Sequence, residues 1–86
     1  MQVRITTPML EALRATPEIP DNLRRCVDSA VKNGDGFLIT MDEDEAMAMT
    51  EMCQWYIKKD PTSGKYGPKA EIFDGIVRAV YKAQDA

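Results

Sequence analysis

Asn33 and Asp35 place side-chain oxygens at alternate positions around Gly34, Gly36 follows, and a further carboxylate comes at Asp42. Amide and carboxylate oxygens spaced in this way around a glycine turn are the ligand type that a hard divalent cation selects. Two thiols, Cys26 and Cys53, are the only soft nucleophiles, and the chain has no histidine. That removes the commonest general base and the commonest transition-metal ligand, so zinc is not expected. Both cysteines fall at apolar positions of helical patterns, where a free thiol behaves as a small hydrophobe. A cysteine nucleophile needs a base to activate it, and no serine sits in a nucleophile elbow. The residues therefore point away from an enzyme.

The string Asn33-Gly34-Asp35-Gly36-Phe37-Leu38 resembles the middle of an EF-hand loop. The resemblance implies Asn33 and Asp35 as ligands, Gly36 at the sharp turn, Phe37 as carbonyl donor and Leu38 as apolar anchor. It places Val31, which has no side-chain oxygen, at the first ligand position, and Ile39 where a water relay is needed. Asp42 stands at the closing position, one methylene shorter than the bidentate glutamate found there. No calcium, other metal or cofactor is expected.

Charge runs offer two further chemistries. Asp42 to Glu45 could bind a cation, but carboxylates in the first turn of a helix are each stabilised by roughly 0.3–1 kcal/mol against the macrodipole, and these four point to different sides. Lys58, Lys59, Lys65 and Lys69 surround Tyr66 in a Pro-, Gly- and Ser-containing loop, a pattern able to contact phosphates and stack a base. This gives an alternative function, nucleic-acid binding through the loop at 58–69. With 11 basic against 14 acidic residues, net −3, the overall balance argues against it. Ser63-Gly64-Lys65 lacks the glycine spacing of a phosphate-binding loop.

The elements that carry these residues are readable from period and punctuation. Val3 and Ile5 alternate with polar neighbours as in a strand, and Thr7-Pro8 suggests a cap and first residue of a helix over 8–15. Leu23, Cys26, Val27, Ala30 and Val31 at i, i+3, i+4, i+7 and i+8 predict a helix over about 21–33, ended by Gly34 in a left-handed conformation. Phe37-Leu38-Ile39 suits a buried strand. Thr40 and Glu43 predict a capping box for a third helix reaching about Lys59, and Pro68 opens a fourth with an apolar stripe through Ile72, Phe73, Ile76, Val77, Val80 and Ala83. The expectation is a single domain, 1–86, of the α+β class: mainly helical, four helices with two short strands, in the order β-α-α-β-α-α. Both strands run into a helix through threonine, which hints at a parallel pair, within the chain or across a dimer.

The third helix, at about 41–59, is the least ordinary of these. Between Ala46 and Ile57 only Thr50, Glu51 and Gln54 are polar, so the helix needs cover on more than one side. Met41, Met47, Met49 and Met52 make one flank adaptable, and Trp55 with Tyr56 supplies aromatic anchors of the kind that carry interface energy. The chain is small, with little surface to hide such a flank. These residues predict a non-catalytic protein-interaction or regulatory module that self-associates, as a homodimer, through the third helix. Residues 1–55 carry 5 basic and 10 acidic side chains and residues 56–86 carry 6 and 4, giving the helix an acidic start and a basic end. No apolar run is long enough to cross a membrane and no leader pattern is visible, so the expected compartment is the cytoplasm.

Overall fold

The computed structural model describes residues 1–57, 64 and 68–85. In chain order these form β1 (Gln2–Thr6), α1 (Thr7–Ala15), α2 (Asp21–Asp28), β2 (Val31–Asn33), β3 (Gly36–Thr40), α3 (Glu43–Tyr56) and α4 (Pro68–Asp85). The class is small α+β and mainly helical, as the periodicities predict. No described helix is long and apolar enough to cross a membrane.

The strands make one antiparallel sheet in the order β1-β3-β2, in place of the two-stranded, parallel-leaning pair expected. The additional strand, β2, occupies residues assigned from sequence to the end of the second helix. That helix stops at Asp28. Ser29 caps it, its N–H donating to the Arg25 carbonyl at 3.0 Å and its hydroxyl to the Cys26 carbonyl at 2.9 Å. Val31 and Asn33, poor helix formers, then pair with Leu38 and Gly36. Gly34-Asp35 is thus a two-residue hairpin loop. Gly34 carries φ of 58° and Asp35 no positive φ, the pattern of a hairpin turn with glycine at its first position. The string that resembles an EF-hand is this hairpin.

β3 ends later than Phe37-Leu38-Ile39 suggests, and this moves the third helix cap. Thr40 pairs with Gln2, and Met41 continues the ladder: the Met1 amino group donates to the Met41 carbonyl at 2.8 Å and the Met41 N–H to the Met1 carbonyl at 3.0 Å. The chain turns only at Asp42, so the capping box is Asp42 with Glu45, not Thr40 with Glu43. The first helix shifts likewise, capped by Thr6.

Val3, Ile5 and Ile39 point from one face of the sheet into a core shared by Leu10, Leu13, Leu23, Met49, Phe73, Ile76 and Val80. Each large apolar side chain so buried contributes roughly 1.5–3 kcal/mol relative to exposure. The other face, carrying Arg4, Val31 and Thr40, is exposed. α4 packs on α3, α1 and β1, which makes it, more than α3, the element around which the helices assemble. Gly75 serves this: a Cβ there meets the terminal methyl of Met9, on α1, at 2.5 Å. At Gly36 a Cβ meets the Ile5 carbonyl oxygen at 2.4 Å, so the β1·β3 approach requires glycine.

Candidate functional site: the exposed flank of α3

α3 is fixed at its start by one side chain with two tasks. Glu45 accepts through Oε1 from the Asp42 N–H at 2.9 Å, completing the capping box, and through Oε2 from the Cys26 thiol at 3.1 Å. The second bond clamps α2 to the first turn of α3. Burial pushes the Cys26 thiol up to about 11, with the bond to Glu45 and the charges of Glu45 and Asp42 adding to it. Burial alone pushes Cys53 up to about 12. Both cysteines are free, buried and protonated at neutral pH, which is unfavourable for nucleophilic chemistry.

Ala46, Met49, Thr50 and Cys53 form the buried stripe of α3, at i, i+3, i+4 and i+7. Thr50 is satisfied there, its hydroxyl donating to the Met47 carbonyl at 2.8 Å. Of the six residues predicted for the adaptable and aromatic flank, Met41 and Met49 lie in the core, only 2% and 1% exposed. The other four stay outside it in two adjacent rows of i, i+4 neighbours. One row runs Ala48, Met52, Tyr56, half-buried to exposed; the second runs Met47, Glu51, Trp55. Met47 is 61% and Trp55 70% exposed, the largest apolar exposures on this helix. Tyr56 is anchored by stacking on Phe73 of α4, with ring centroids 4.8 Å apart and planes 21° from parallel.

These rows form one wall of an open groove of about 600 Å³ that takes in Ala48, Met52, Trp55 and Tyr56. The opposite wall is the α1–α2 turn, Pro17 to Pro20. Ile19 roots that turn in the core, and Glu18 between the prolines holds φ of 60°, a conformation that an L-residue with a long side chain rarely adopts. Glu18 and Glu51 place carboxylates on the groove's two sides. The sequence shows the α3 wall but not the proline wall, because nothing local relates residues 17–20 to residues 48–56.

Of the residues proposed for nucleic-acid contact, Lys69 is exposed in the first turn of α4. Lys58, Lys59, Lys65 and Tyr66 lie outside the described residues. Among the described residues no group of three or more acidic or cysteine side chains converges as a metal would require. Compared with family models, curated proteins and solved structures, the chain matches none.

Proposed function

We propose that the protein is a non-catalytic interaction module that self-associates as a homodimer through the exposed flank of α3. The observation that carries this reading is the exposure of Trp55 beside Met47, Met52 and Tyr56, two aromatic and two thioether side chains on one helix flank. Trp and Tyr are the residue types that most often dominate interface energy, and methionine lets such a surface adapt. The flank is bordered by a groove whose walls are already formed, which lowers the ordering cost of association.

Charge supports a two-fold, antiparallel arrangement of α3 against α3. Glu43, Asp44 and Glu45 open the helix, and Lys58 and Lys59 follow it in sequence. An antiparallel pair keeps the acidic starts of the two copies apart, which aids orientation more than affinity. The absence of histidine and the protonated state of both buried thiols favour a non-catalytic role. The same two free thiols suit a reducing compartment, the cytoplasm. Because Trp55 is the only tryptophan, its emission reports the interface without labelling. Its maximum moves to shorter wavelength as protein concentration rises from nanomolar to high micromolar. Emission independent of concentration overturns the reading.

A further inference from the structure

β1 stands at one edge of the sheet, and the pairing pattern says which of its backbone groups point off that edge. Met1 and Met41 exchange both backbone hydrogen bonds, so Val3 with Ile39 and Ile5 with Phe37 are the hydrogen-bonded pairs that follow in the antiparallel alternation. The N–H and C=O groups of Gln2 and Arg4, and the N–H of Thr6, therefore face outward. Among the described strands β1 pairs with β3 alone, which leaves these groups outside the ladder. The opposite edge, β2, is only three residues long and turns only Lys32 outward.

α4 packs on β1 but not on β3, so it stands beside this open edge and not over the middle of the sheet. Between them is a cleft of about 490 Å³ lined by the β1 edge on one side and by Ala79, Lys82 and Ala83 on the other. Its size falls in the range of about 300–1,000 Å³ typical of ligand sites. Arg4 and Lys82 give it two cations against the single carboxylate of Asp35, in a chain whose net charge is −3.

We infer that the β1 edge, with α4 as its second wall, is a strand-addition site for an extended segment of another protein in which apolar and acidic residues alternate. The outward row of backbone donors and acceptors sets the extended conformation. Alternation follows from the strand period: one side of the added strand meets Ala79 and Ala83, and the other lies beside Gln2, Arg4 and Thr6. A second copy of the chain is the wrong occupant. Arg4 is central in β1, and antiparallel self-pairing in the matching register sets two arginines directly opposite each other, which is destabilising. This site is separate from the α3 flank and does not depend on self-association there.

The test uses the full chain, labelled with ¹⁵N, and the peptide acetyl-Val-Glu-Val-Glu-Val-amide. The amide signals of Gln2, Arg4 and Thr6 shift and their hydrogen exchange slows, while Val3 and Ile5, already in the ladder, keep theirs. A peptide with lysine in place of glutamate binds more weakly, and N-methylation of alternate peptide amides removes binding. Arg4→Glu, at an exposed position, weakens the glutamate peptide by roughly tenfold and strengthens the lysine peptide. The inference is overturned if no β1 amide responds, or if the response maps to Lys32 or to Met52 and Trp55. It is overturned equally if Gln2 and Arg4 gain protection with protein concentration alone, the signature of a second copy on this edge. Trp55→Ser leaves peptide binding unchanged, which separates this result from any failure of the α3 interface.

Discussion

Two thiols and one glutamate make opposite contributions at the scale of single residues. In the unfolded chain Cys26 and Cys53 lose their protons near the ordinary thiol value of 9.0, whereas in the fold they hold them to about 11 and about 12. Their stabilising contribution is therefore complete below pH 9 and is lost as pH rises through 11 and then 12, because the unfolded state gives up its protons first. Urea midpoints fall more steeply above pH 9 for the natural chain than for the Cys26→Ala, Cys53→Ala double variant; equal slopes contradict the burial of both thiols. Glu18 works the other way. Its left-handed backbone costs about 1 kcal/mol that glycine avoids, so Glu18→Gly stabilises the fold by about that amount, against the usual sign of a mutation to glycine. A lower urea midpoint for this variant shows that the Pro17–Pro20 turn is held by the Glu18 side chain, not strained by it.

Glycine separates two kinds of packing at the scale of elements. Gly36→Ala drives a methyl into the Ile5 carbonyl, backbone against backbone, and is expected to destabilise by a few kcal/mol, in the range of about 1–3 kcal/mol typical of overpacking. Gly75→Ala meets only the mobile end of Met9, and the roughly 1 kcal/mol gained in helix propensity offsets the repacking, so its stability changes little or rises. Thermal unfolding of the two variants checks the contrast. Most elements are visible in sequence because their signals are local: the Val3/Ile5 alternation, the broad stripe of α4, the prolines that open it. β2 is not. Val31 continues a helical apolar pattern from Leu23, and only pairing with Leu38, seven residues on, turns it into a strand. Asn33-Gly34-Asp35-Gly36 carries the signal, since its Asn-Gly and Asp-Gly steps are hairpin dipeptides as well as helix stops. The cap of α3 escapes a local reading for a related reason: Thr40 is retained by its strand until Met41 has paired with Met1. In α3 itself the sequence marks an apolar helix, but because apolar residues occupy most of its circumference, the period alone does not distinguish Met49 in the core from Met47 in solvent.

At the scale of the whole molecule, the described residues present an exposed α3 flank with its groove and an outward-facing edge of β1. In the proposed dimer a second copy covers the first of these. Sedimentation velocity over a dilution series, run in parallel on the natural chain and on Trp55→Ser, tests it most directly. The natural chain is expected to move from one-chain to two-chain mass as concentration rises, and Trp55→Ser, with unchanged circular dichroism, to require at least about thirtyfold more protein, the effect of a hot-spot loss of about 2 kcal/mol. A natural chain that stays at one-chain mass to high micromolar concentration, or a Trp55→Ser variant that dimerises as readily, contradicts it.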